Sequence, residues 1–350
     1  MLSKRAFSAQ QFHWLFILIA GGVIIMFFSI IVSGVMNNSE TKLSASMISS
    51  FDAIFSGSKA SDDTVSIVPA PPKTEIEFIC DSSGYSEIAV AETAASRQNA
   101  NRVLFAHRFI QGRQFIIFTE GIDIPFKVDN ALYITDFGVK YFIVEDADRP
   151  AYAEILYDLM PDNVTKEVIR DISRAELDGY REIVVVAFSP LPSGSENKLA
   201  RYDSTLIYIQ SNNLRRQGRV QFKKRVRENE QYRMQASSSH HYFGDALLLG
   251  AVFSEDADYY ECGVAKMLTK SAVMAQLYHE RTKRLKQKNS GGLCQAAYSD
   301  AMAQFEKVGS MSGGSEALRT LVLPTFDTGP AKKLYDANKN LQLHSCPQIY

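Results

Sequence analysis

Seven cations fall within the run LRRQGRVQFKKRVR: Arg215, Arg216, Arg219, Lys223, Lys224, Arg225 and Arg227. Read as a strand, the run alternates. Val220, Phe222 and Val226 then share one side, and Arg219, Lys223, Arg225 and Arg227 share the other. Such a row can bind the anionic groups of a lipid, a glycan or a nucleic acid. A solvated edge strand, kept from aggregating by its charges, accounts for the row equally well. No cluster of stacking aromatics accompanies it, which weighs against nucleic acid. The formal net charge of -1 adds no global attraction for a polyanion. A second basic run, Arg281, Lys283, Arg284, Lys286 and Lys288, suits the C-terminal end of a helix dipole and needs no ligand.

Cys80, Cys262, Cys294 and Cys346 form no C-x-x-C pair, so their spacing does not describe a zinc site. An even count favours disulfides in an oxidising compartment. If residues 262–288 form one helix, it spans about 39 Å. Bridged Cα atoms lie only about 5–6 Å apart. Cys262 then cannot reach Cys294, and the expected pairs are Cys294–Cys346 and Cys80–Cys262. Closing a loop of ~50 residues adds roughly 4 kcal/mol in the chain-entropy view.

The remaining reactive types match no catalytic spacing. His240-His241 point apart on a strand, with Asp245, Glu255, Asp256 and Asp258 after them, in no familiar metal-ligand pattern. His279-Glu280 lacks the second histidine of H-E-x-x-H. Ser193-Gly194-Ser195 is loop material, without a G-x-S-x-G elbow. Glu145-Asp146-Ala147-Asp148 follows a strand, where α/β sites lie, yet reads first as a loop leading into a helix. There is no G-x-G-x-x-G after a strand and no Walker loop. The sequence thus assigns no catalytic residue, cofactor or metal.

These residues must be positioned by strands and helices in alternation. Residues 74–80, 102–107, 114–120, 131–135, 141–145, 182–188, 205–210 and 219–226 read as strands. EIVVVAF (182–188) is the continuous apolar run of a strand buried on both faces. Residues 86–100, 150–160 and 163–179 read as helices, with a right-handed crossover over 141–188. The last third reads as one long helix from Asp256 to Lys288, a return helix over 293–308, and two more over 316–323 and 330–343. The expected class is α/β: an N-terminal transmembrane helix, a mixed-sheet extracytoplasmic domain and a C-terminal helical hairpin bundle.

Trp14 to Met36 contains no charged residue and is long enough to span a bilayer as a helix. Lys4 and Arg5 precede it and no basic residue follows until Lys42, which puts the N-terminus in the cytoplasm and the bulk of the chain outside. A cleaved signal has a shorter apolar core, although Val32-Ser33-Gly34 is a passable cleavage site. Lys4-Arg5-Ala6-Phe7 looks like a type IV pilin leader, but Gln11 stands where pilins usually have Glu. Leu43, Met47, Phe51 and Phe55 mark an amphipathic helix that packs on the outer domain or lies on the outer leaflet. Residues 56–73, with Pro69, Pro71 and Pro72, read as a stiff linker. The sequons at Asn37 and Asn163 fit an outside location. The divisions are a stub (1–11), the span (12–36), a helix and linker (37–73), an α/β domain (74–235) and a helical bundle (236–350).

The N-terminal KRAFSAQQFHWLFILIAGG and the C-terminal LHSCPQIY resemble the ends of single-span membrane proteins of small-genome archaea. The resemblance implies an anchor and an extracytoplasmic domain, and it brings no activity or site residue. The expected role is a membrane-anchored binding or scaffold protein of the cell envelope. Its partners would be the bilayer through residues 12–36, and envelope proteins or anionic surface ligands. The alternatives are an envelope hydrolase with a dispersed site and a pilin-like filament subunit. Intact-mass measurement of the mature protein separates the last: an anchor keeps the residues before Phe7, whereas Phe7 as the first residue indicates processing for a filament.

Overall fold

A computed structural model describes residues 46–54, 56–57, 61–81, 86–91, 96–98, 102–228, 231–289, 293–311, 313–322 and 329–350, with four positions between 22 and 29. The expected span at 12–36 and the sequon at Asn37 lie almost wholly outside them. Among the described residues, no helix is long and apolar enough to cross a membrane.

Two six-stranded mixed sheets carry the chain, in the mixed α/β class expected. The first sheet uses β1 (Val65–Cys80), β2 (Ser86–Val90), β3 (Ser96–Gln98), β4 (Leu104–Ala106), β5 (Phe109–Asp123) and β6 (Lys127–Asp136), in the order β3-β2-β1-β5-β6-β4. The second uses β7 (Val139–Val144), β8 (Lys166–Ile169), β9 (Glu182–Ala187), β10 (Ser204–Asn213), β11 (Gln217–Glu228) and β12 (Gln231–Phe243), in the order β12-β11-β10-β9-β7-β8. β12 runs through position 235, where sequence divides the two outer regions. β8, β7, β9 and β10 are parallel.

Alternation along the strands explains how both faces of each sheet are covered. In β9, Val184 and Val186 enter the large central core, while Ile183, Val185 and Ala187 enter a smaller outer one. In β5, Ile116 and Phe118 face the central core, and Phe115 and Ile117 face an outer one. The second outer core is closed by α1 (residues 46–54), whose Met47 and Phe51 are buried on it. Phe51 meets Phe115 at 6.1 Å between centroids. The amphipathic helix therefore packs on the domain.

Seven more helices complete the described chain: α2 (Ala151–Leu159), α3 (Ser193–Leu199), α4 (Gly244–Phe253), α5 (Ala257–Lys288), α6 (Leu293–Gly309), α7 (Ser315–Val322) and α8 (Pro330–Leu343). α5 begins where expected, with Asp256 accepting from the backbone N–H of Asp258 and Tyr259. Eight of the ten α4 residues, Ala246 to Phe253, are buried, so this helix is apolar all round and lies inside the central core. Both expected disulfides form, with Cα separations of 6.1 Å for Cys80–Cys262 and 5.9 Å for Cys294–Cys346.

Four segments differ from the sequence reading, one of them Ser193-Gly194-Ser195, which opens α3 instead of lying in a loop. Val65 to Lys73 is the first half of β1 rather than a linker, paired with β5 from Val65↔Phe118 to Pro69↔Gln114. The prolines sit where the register shifts between Pro69 and Thr74, which spares the ladder the missing donors. In the alanine-rich stretch expected to be a helix, the described residues Ser86–Val90 and Ser96–Gln98 are strands: Ser86, Ile88 and Val90 are buried on one side, and the whole of Ser86–Val90 pairs with β1. Residues 163–179 hold β8 and one turn of 3-10 helix at Ile172–Arg174 instead of an α-helix. There the parallel pairing of Lys166–Ile169 with Tyr141–Val144 outweighs a weak helical pattern.

Phe105 on β4 sits between α4 and α5. A Cβ added at Gly263 would lie 2.3 Å from its ring, and one at Gly250 2.8 Å. Alanine is favoured over glycine inside a helix by about 1 kcal/mol. Overpacking against a ring that is fully buried costs about 1–3 kcal/mol and more at such short distances. Gly263→Ala is therefore expected to lower stability by at least about 1 kcal/mol in urea unfolding. Gly194→Ala on α3, with nothing within 4 Å of its Cβ, is expected to leave it level or raise it.

Candidate functional site

The parallel strands end on one side of the second sheet, and the chain order reverses there. From β7 the chain passes outward to β8, then returns to β9 on the other flank. In open α/β sheets, the crevice at such a reversal is the usual place for a ligand. Here a cavity of about 630 Å³ opens beside the loops that follow β7, β9 and β10. Arg149, Arg216, Arg219 and Arg319 line it together with His241, and no lining residue is a carboxylate.

Three of the four arginines have a local reason for their position. Arg149 is held from below by Asp146, at 3.3 Å, and donates to the carbonyls of Ser211 (3.0 Å) and Phe188 (3.3 Å). It thus ties the loop after β7 to the ends of β9 and β10. The acidic run expected to be a loop is one, and its buried Asp146 anchors an arginine. Arg219 and His241 are direct cross-strand partners on β11 and β12. Arg319 arrives on α7, 2.9 Å from Glu316 one turn earlier. Gly218 keeps the wall thin, since a Cβ there would fall 2.6 Å from both the Gln210 carbonyl and the Tyr242 ring.

The rest of the expected basic row is spent elsewhere. Lys223 bridges to Glu196 at 2.7 Å over the ring of Tyr208, and Arg225 lies 3.7 Å over Tyr232. Arg227 is exposed outside the cavity. Lys224 pairs with Glu255 and Asp256. The row does not lie on an edge strand: β12 covers β11 along its length. Of Arg219, Lys223, Arg225 and Arg227, only Arg219 enters the cavity. Arg149 and Arg319 escape sequence reasoning because folding alone brings them to it, and no motif signals them.

His240 and His241 point apart, as expected. His240 faces Glu261 and Ser238 on the far side of the strand. Among the described residues, no group of three or more His, Cys, Asp or Glu could hold a metal. Asp245 is taken by Arg215, and His279 sits between Glu280 and Glu306. On α5, Lys266 is buried with its Nζ unpartnered, and burial pushes its pKa down to about 8.

Burial holds the His241 pKa below its ordinary value, and the positive charge of Arg219 adds to this. The imidazole is neutral at pH 7 and leaves the arginines to attract an anion. No known protein family model matches the chain, and neither a curated protein nor a solved structure matches it.

A bound anion favours the protonated imidazole, so affinity must rise as pH falls through and below 6.5, the ordinary histidine value. Sulfate keeps its charge across this range and is the clean probe. Titration calorimetry at pH 7.5 and 5.5 is expected to show tighter sulfate binding at the lower pH, and His241→Phe to remove most of that difference.

Proposed function

We propose that the chain is a membrane-anchored, extracytoplasmic binding protein of the cell envelope whose ligand carries negative charge. The observation that carries this reading is the convergence of four arginines, without a carboxylate, on one cavity at the strand reversal. Guanidinium forks form charge-assisted, often bidentate bonds with phosphate, sulfate and carboxylate groups. Phe188, Tyr242 and Phe243 supply apolar wall beside them, as small-molecule sites usually require. A volume of about 630 Å³ suits a compact organic anion better than an extended polymer.

The placement at the membrane is supported by the uncharged run Trp14–Met36 with Lys4 and Arg5 before it. Two disulfides and no free cysteine fit the oxidising side of that membrane. The resemblance to single-span archaeal proteins points the same way. The C-terminal helices act as packing for this site: α7 delivers Arg319 and Leu318 to the cavity.

Losing one charged hydrogen-bond partner costs about 1.5–3 kcal/mol, or roughly 10–100-fold in affinity. Screening a library of phosphorylated, sulfated and carboxylated small molecules by thermal shift is expected to give stabilising hits. Arg219→Glu and Arg319→Glu are each expected to abolish those shifts, while Arg227→Glu leaves them. Equal loss with Arg227→Glu, or no anionic hit at all, overturns the assignment.

A further inference from the structure

On the opposite face of β12 from the cavity, three side chains form a continuous hydrogen-bonded chain. His240 Nδ1 lies 2.5 Å from Glu261 Oε1, and His240 Nε2 lies 2.9 Å from Ser238 Oγ. An ionised carboxylate only accepts, so Glu261 fixes the imidazole proton on Nδ1. The Nε2 lone pair then faces the Ser238 hydroxyl, which is the disposition of an activated serine. We propose that Ser238, His240 and Glu261 form an esterase site, in addition to the anion cavity and independent of it.

Local structure supports this arrangement as a built one. β12 carries one extra residue opposite Phe222, with Gln221 paired to Ser239 and Lys223 paired to Ala236. Such bulges re-aim side chains and gather near active sites. The Gln221 amide donates to the Ser237 carbonyl and holds the bulge at 3.1 Å. Tyr260, next to Glu261 on α5, donates to the His241 carbonyl at 2.8 Å and clamps helix to strand. His240 is buried and edge-on to the rings of Phe222 and Tyr260. Ser238 is exposed, so a substrate reaches the hydroxyl from solvent while the base is screened. The backbone at Gly314 passes so close to the Glu261 carboxylate that an added Cβ would collide with Oε2.

The chemistry balances with water as the second reactant. Ser238 Oγ adds to the ester carbonyl carbon and its proton passes to Nε2. The C–O bond to the alcohol breaks and the alkoxide takes that proton. Water then adds to the acyl-serine, giving its proton to Nε2. Ser238 leaves as the free hydroxyl, reprotonated by the imidazolium, and a carboxylic acid departs. The substrate class is a carboxylic ester. Glu261 touches no substrate and is a positioning residue.

The test is labelling of the full-length protein in detergent by a fluorophosphonate, whose fluoride leaves as the serine oxygen bonds to phosphorus. Hydrolysis of p-nitrophenyl acetate is followed in parallel. Peptide mapping is expected to find the adduct on Ser238. Ser238→Ala, which alters an exposed side chain, is expected to abolish labelling with unfolding unchanged. His240→Gln is expected to slow both reactions about 100-fold or more. Glu261→Gln and Gly314→Ala are expected to slow labelling and shift its pH profile, with Glu261→Asp recovering part of the rate. An unlabelled but folded protein, an adduct on another serine, or a pH profile untouched by Glu261→Gln each overturns the proposal.

Discussion

The ring of Phe105 sets the distance between the halves of this molecule. It stacks on Tyr133 at 5.8 Å within its own sheet and on Tyr260 of α5 at 6.0 Å. Two helices can approach it only because Gly250 on α4 and Gly263 on α5 present bare backbone. One ring therefore places α5, and α5 places much else. Glu261 lies half a turn before Gly263 and meets His240. Tyr260 holds the backbone of β12. Cys262 reaches back to Cys80 across the first sheet. Large aromatic burial contributes through area as well as geometry, and here the geometry has the wider consequences.

A chain of net charge -1 can still hold a cationic cavity if its carboxylates are used elsewhere. Glu196, Glu255, Asp256 and Asp245 each sit against a lysine or arginine away from it. Among the ion pairs of the described residues, Asp146 and Glu316 are the carboxylates that touch cavity arginines, and neither lines the opening. The cavity's field thus comes from where charges are neutralised more than from how many there are. That is why a count of basic residues along β11 points to the right strand and the wrong row.

What could be read in the sequence follows from how local its causes are. The start and length of α5, the two-faced burial of β9 and the disulfide pairing rest on periodicity and reach, both carried by the chain itself. β1 was hidden by its prolines, because an extended strand with a register shift looks like a spacer until its partner is known. β8 was hidden for a similar reason, since four residues pair only because β7 is already there. Ser238 and His240 are two residues apart and visible as neighbours, yet their meaning depends on Glu261 of another element. Arg149 and Arg319 reach one cavity from distant parts of the chain, which no spacing rule foresees.

The Cys80–Cys262 bond has a mechanical meaning. A pull arriving from the N-terminal side enters through β1 and passes at its end straight into α5, along covalent bonds. The positions between the two cysteines, which are 182 apart in sequence and enclose β12 and the whole strand reversal, lie off that line of force. Fully drawn out, they would add about 600 Å of slack. With the bond closed, tension at a surface can tilt or strain the ends of the chain while the strand-borne wall of the cavity, with Arg149, Arg216 and Arg219, stays at rest.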